Sequence, residues 1–108
     1  MNATTEITKT RLLKEVCNDM CHNFYYAVYG RIYNEDKTRY KKFHFVVWFD
    51  AFDIQENAGR DYYTKQDKKD LLDLYTMSFC DMVTDYNNVT DFYNACNDTI
   101  NRYNGTNY

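Results

Sequence analysis

FYYAVYGRIY, residues Phe24–Tyr33, and YKKFHFVVWFDAF, residues Tyr40–Phe52, decide how this chain folds. In the first stretch Phe24, Tyr26, Val28 and Ile32 fall on one side of a period-two pattern, with Tyr25, Tyr29, Arg31 and Tyr33 on the other. That alternation predicts a strand that is aromatic on both faces. In the second, Arg39 to Asp50 alternates again, with Phe43, Phe45, Val47 and Phe49 opposing His44, Val46 and Trp48. The polar run Asn34-Glu35-Asp36-Lys37-Thr38 between them reads as a turn, so the two stretches are expected to pair as an antiparallel hairpin.

Outward from the hairpin the period changes. On the N-terminal side, from about Thr5 to Cys21, Leu13, Val16, Cys17, Met20 and Phe24 recur at three and four, with Leu12 widening the stripe. This spacing predicts an amphipathic helix, capped by Thr4 or Thr5 and with Glu6 in its first turn. On the C-terminal side Gln55 to Asp61 is a polar connection containing Gly59, and Asp61-Tyr62-Tyr63-Thr64 is a candidate short third strand. Thr64 is a good N-cap for a helix over Lys65 to Tyr86, where Leu72, Tyr75, Phe79, Met82, Val83 and Tyr86 hold helical spacing. Asn87-Asn88 breaks that helix and Thr90 caps the next, whose stripe is Val89, Phe92, Tyr93, Cys96, Ile100 and Tyr103, with Asn104 to Tyr108 a frayed tail. The expected architecture is α+β: a helix, an antiparallel hairpin of two or three strands, then two helices on one sheet face, the other face being left with tyrosines.

At 108 residues, with 44% hydrophobic composition, the chain is expected to be one domain, residues 1–108, able to bury a core. It has no proline and only Gly30, Gly59 and Gly105, which leaves no support for a flexible linker. Met1 to Glu15 is charged and carries no hydrophobic signal core, and no apolar run approaches membrane length, so a cytosolic protein without membrane contact is expected. The net charge of −3 is unevenly placed. Residues 1–69 carry ten acids and twelve bases, while residues 70–108 carry six acids and only Arg102. A weakly acidic whole argues against general nucleic-acid affinity, which needs clustered Lys and Arg.

No motif with a catalytic mechanism appears, and the chain is read as a non-enzyme. Cys21 with His22, and His44 between Phe43 and Phe45, lack a third group to orient a nucleophile and base. Asp50, Asp53 and Glu56 form a paper cluster for magnesium, with solvated carboxylates as the plain alternative. Cys17, Cys21, Cys80 and Cys96 admit three readings: reduced core thiols, a structural zinc site with His22 or His44 as substitute ligand, or disulfides. Asn-x-Thr triplets at Asn2, Asn88, Asn97 and Asn104 would accept glycans only in a secreted protein.

What the composition favours is contact. Twelve tyrosines, seven phenylalanines and Trp48 are more rings than one small core fills, and tyrosine can stand in water yet bury area against a partner. Asp70, Asp73, Asp81 and Asp85 recur at helical spacing on the first C-terminal helix, with Asp91 and Asp98 on the second. Rigidly spaced carboxylates can imitate a phosphate row and engage a basic groove. Those six aspartates are the expected charge complement, with Tyr86, Tyr93 and Tyr33 as anchors. At the hairpin, Arg31, Lys37, Arg39, Lys41 and Lys42 interleave with Tyr33, Tyr40 and Phe43, a pattern that suits single-stranded nucleic acid or a solubilising edge.

In size, in the order helix, hairpin, helix, helix, and in the Asp-, Asn- and Tyr-rich helices at Asp81 to Tyr93, the chain resembles the small phage-encoded anti-CRISPR proteins. The resemblance implies a stoichiometric inhibitor of a Cas9-like nuclease, acting in the cytoplasm of the host bacterial cell, with acidic side chains occupying a DNA-binding site and no cofactor required. Members of that group that bind zinc keep the thiol site in view. A small nucleic-acid-binding protein led by the basic hairpin, and a zinc-stapled structural module, are the alternatives.

Overall fold

A computed structural model describes the backbone of residues 1–82 and 91–106, and the side chains of residues 1–79 and 91–101. Three strands come first, β1 (Thr4–Cys17), β2 (His22–Tyr33) and β3 (Tyr40–Asp50), and three helices follow, α1 (Ala51–Ala58), α2 (Lys65–Met82) and α3 (Phe92–Thr106). The strands form one antiparallel sheet in the order β1-β2-β3. The class is α+β, as the alternation in the hairpin and the helical stripes beyond it predict.

The first element corrects the sequence reading. Thr4–Cys17 is an edge strand on β2, from Thr4 opposite Tyr33 to Cys17 opposite His22. The run holds Thr4, Thr5, Ile7, Thr8 and Thr10, whose branched Cβ atoms suit a pleated surface better than a helix. Its period-two signal is hidden by two register shifts, between Ile7 and Lys9 and between Leu12 and Lys14, each of which flips the side-chain parity. The apparent helical stripe is mostly solvent-facing: Leu13 and Met20 are 43% and 92% exposed.

The β2–β3 register sets Phe24 opposite Phe49, Tyr26 opposite Val47, Val28 opposite Phe45 and Gly30 opposite Phe43. These residues form the inner face. Gly30 is required there, because an added Cβ would lie 2.3 Å from the Glu6 carbonyl oxygen and 2.5 Å from Phe43 Cζ. The helices cover this face. Phe79 of α2 lies 4.5 and 4.6 Å, centroid to centroid, from Phe43 and Phe45, and Tyr75 stacks on Phe49 at 6.0 Å. Ile54 of α1, Leu71 and Leu72 of α2, and Phe92 and Cys96 of α3 complete the buried cluster.

The turns are built by side chains. Asn34, buried at the start of the β2–β3 turn, accepts from the Arg39 N–H at 2.9 Å and donates through Nδ2 to Thr38 Oγ1 at 3.1 Å. Asp50 and Asp53 close a reciprocal capping box on α1, with Asp53 N–H donating to Asp50 Oδ1 at 2.7 Å and Asp50 N–H to Asp53 Oδ2 at 3.0 Å. Gly59 ends α1 in the left-handed region, φ 72°. The polar connection predicted over Gln55–Asp61 is therefore mostly helix, and Asp61–Thr64 is not a strand but the lead into α2. There Thr64 caps as expected: its Oγ1 accepts from the Asp67 N–H, and its N–H donates to Asp67 Oδ2 at 2.8 Å. At the C-terminus α3 runs to Thr106, through the start of the expected tail. The Thr90 cap and the Asn87-Asn88 break lie outside the described residues.

Candidate functional site

The sheet has two unlike faces. On the outer one, rings pair across β2 and β3 as three rungs: Tyr25 with Trp48 at 6.3 Å, Tyr29 with His44 at 5.9 Å, and Tyr33 with Tyr40 at 5.8 Å between centroids. Each rung carries a cation. Lys14 Nζ lies 5.8 Å from the Tyr25 centroid, Lys9 Nζ 5.9 Å from Tyr29, and the Arg31 guanidinium 4.9 Å from Tyr40. The Tyr33 hydroxyl, by hydrogen bonding, and Tyr33, Tyr40 and Glu6 by charge, hold the Arg31 pKa above its ordinary value. A cleft of about 540 Å³ opens beside the middle rung between Lys9, Tyr29, Arg31, Lys42 and His44.

The shifts in β1 decide which side chains reach this face. The first makes Lys9 and Arg11, rather than Thr8 and Thr10, the partners of the outer-face residues Tyr29 and Ala27; the second gives Lys14, rather than Leu13, to Tyr25. All the bases of β1 thus stand on the outer face, with Arg31 of β2 and Lys42 of β3. Of the acids at outward positions, Glu6 stands opposite Arg31 and Asp50 is committed to the α1 cap. Sequence reasoning found Arg31, Lys42, Tyr33 and Tyr40 in the hairpin and missed Lys9, Arg11 and Lys14, which a helical reading points elsewhere.

The second surface is on α2. Asp70, Asp73, Leu74 and Met77 are all exposed at spacings of three, four and seven, a single stripe opposite the buried Leu71, Leu72, Thr76 and Phe79. Leu74 and Met77 keep 47% and 59% of their surface in solvent, and Gln66 Nε2 donates to Asp70 Oδ1 at 2.8 Å. Asp81 follows four residues after Met77 along the helix backbone. On α3, Asp98 and Tyr93 are exposed, and Asp91, the residue before the helix, is half-buried. Tyr33 belongs to the outer sheet face, so the structure does not bring it together with the helix carboxylates. Asp85 and Tyr86 lie outside the described residues.

The described thiols are not gathered. Cys17 and Cys21 flank the β1–β2 turn, whose Asn18 Oδ1 accepts from the N–H groups of Met20 and Cys21. Cys96 is buried near Lys41, which pairs with Ile32 at the other end of β2 from His22. Ten residues of strand separate those ends, about 33 Å, so Cys96 cannot share an ion with Cys17 and Cys21. Cys17, Cys21 and Cys96 are free thiols, and the Cys80 side chain lies outside the described residues. Among the described residues no three His, Cys, Asp or Glu side chains converge as a metal site. His22 packs 4.5 Å from Phe24, with Nδ1 3.3 Å from the Tyr63 hydroxyl and Nε2 3.6 Å from Glu15 Oε1. Of the paper magnesium cluster, Asp50 and Asp53 are the two halves of the α1 cap. No helix among the described residues is long and apolar enough to cross a membrane.

Comparison with protein-family models, with curated proteins and with solved structures finds no match for this chain.

Proposed function

We propose that the protein is a non-enzymatic inhibitor that binds, in stoichiometric complex, a nucleic-acid-handling protein such as a Cas nuclease. The observation that carries this reading is the α2 stripe, in which the exposed Leu74 and Met77 sit one helical turn C-terminal to the exposed Asp70 and Asp73. Carboxylates alone would be an ordinary solvated face. Two apolar side chains held in water one turn along from them on a rigid helix add area to bury, so the charges steer approach to a basic groove and the apolar pair gives the docked state a desolvated centre. Inhibition then follows from occupancy of the groove, with no bond made or broken.

The test is target cleavage by a panel of guide-loaded Cas nucleases as the protein is added in molar steps. Loss of cleavage near one equivalent for one effector is the expected result. The Asp70→Lys/Asp73→Lys double variant, folded by circular dichroism, is expected to need at least about tenfold more protein, since setting two lysines against a basic groove juxtaposes like charges at a cost of more than about 1.4 kcal/mol. A panel that cleaves undisturbed at high excess rejects the reading.

A further inference from the structure

We propose that the outer face of the sheet is a binding site for single-stranded nucleic acid, distinct from the α2 surface and independent of the function proposed for it. A single strand asks for two things at once: ring faces for unstacked bases, and cations for the phosphates between them. The outer face supplies both in register. Tyr25, Tyr29 and Tyr33 recur every fourth residue of β2, about 13 Å apart along the strand, each with a ring partner on β3. The accompanying cations come from a different strand in two of the three rungs, so base platform and phosphate contacts lie side by side across the sheet.

Two observations oppose a purely structural account of these side chains. Lys9, Arg11 and Lys14 face outward together only because β1 is interrupted twice, and such interruptions re-aim side chains at a cost in ladder hydrogen bonds. Trp48 and Tyr40 keep 47% and 45% of their surface in water while the helices pack on the opposite face. The charge of the face is opposite to that of the whole chain, which is −3. A duplex hides its base faces in its own stack and would meet only the lysines and arginines, so the paired rings select the single strand.

Trp48 is the sole tryptophan of the chain and reports on this face directly. Its fluorescence should be quenched saturably by short oligouridylate or oligothymidylate in low-salt buffer, and much less by a duplex of the same length. Each phosphate contact adds roughly −0.7 to the slope of log affinity against log salt, so the Lys9→Ala/Lys14→Ala variant should lower that slope by about 1.4. Tyr29→Ala should weaken binding of a labelled oligonucleotide by about tenfold, read by anisotropy, with the fold checked by circular dichroism. Absence of quenching, equal quenching by duplex, or a salt slope unmoved by the lysine variant each overturns the proposal. No effector is present in this assay, so its outcome does not depend on the inhibitor reading.

Discussion

Gly30 is where a single atom matters most. Its missing side chain lets the Phe43 ring lie across β2 and lets the Glu6 carbonyl approach beside the first register shift of β1. Gly30→Ala forces both the backbone and a buried ring to move and is expected to cost about 2 kcal/mol, read as a lower urea midpoint at unchanged m-value. Cys96 gives a chemical contrast. Burial pushes its thiol up to about 11, with nearby Lys41 pulling the other way, whereas Cys17 is exposed at the end of β1. Below that pH the Cys96 thiol stays protonated and enclosed. At pH 8 an alkylating reagent should therefore modify Cys17 in the folded protein and reach Cys96 only after denaturation. Modification of Cys96 at the rate of Cys17 would contradict its placement. Asn34 supports the turn between β2 and β3, and Asn34→Ala removes an acceptor from the Arg39 N–H and a donor to Thr38. A loss of about 1–2 kcal/mol is expected by denaturant titration.

Among the elements, α2 is the best specified, and its start is testable. Thr64→Ala should cost about 1 kcal/mol through loss of the cap. The Asp67 carboxyl is held below its usual range first by the Thr64 N–H and then by Arg60, with which it also pairs. A carboxyl depressed on folding contributes stability that is present above its unfolded pKa and fades as pH falls through the lower folded value. Asp67→Asn should therefore show a flatter loss of thermal stability below about pH 4 than the wild type, while an identical acid limb would remove Asp67 from the account. This helix was legible because Thr64, Asp67 and the apolar spacing agree. The hairpin was legible for the same reason, strict alternation with a polar turn between. Ala51–Ala58 was missed although Asp50-Ala51-Phe52-Asp53 spells a capping box, because aspartate at both ends is less familiar there than Ser and Glu. β1 was misread because long-range pairing with β2 overrides a local three-and-four spacing. Half of the outer face went with it: the hairpin cations could be placed from sequence, but Lys9 and Lys14 owe their direction to two interruptions that no single-sequence period reveals.

Taken whole, the molecule gathers Lys9, Arg11, Lys14, Arg31 and Lys42 on the outer face of the sheet, while the helix side mixes Lys65, Lys68 and Lys69 with the exposed Asp70, Asp73 and Asp98. A chain of net charge −3 would ordinarily pass through heparin. Retention at low salt is expected here, with the Lys9→Glu/Lys14→Glu variant eluting earlier; wild type in the flow-through would contradict a net-basic outer face. The layers are also sequential: among the described residues all the strands precede all the helices. On the ribosome, the aromatic inner surface is therefore complete once Asp50 has emerged, while its cover has yet to leave the exit tunnel. At about 5–20 residues per second the nascent sheet waits some seconds with Phe43, Phe45, Val47 and Phe49 bare. Message truncated after Asp50 would then yield a sticky, chaperone-dependent polypeptide, and the order of synthesis becomes a hazard that the finished fold conceals.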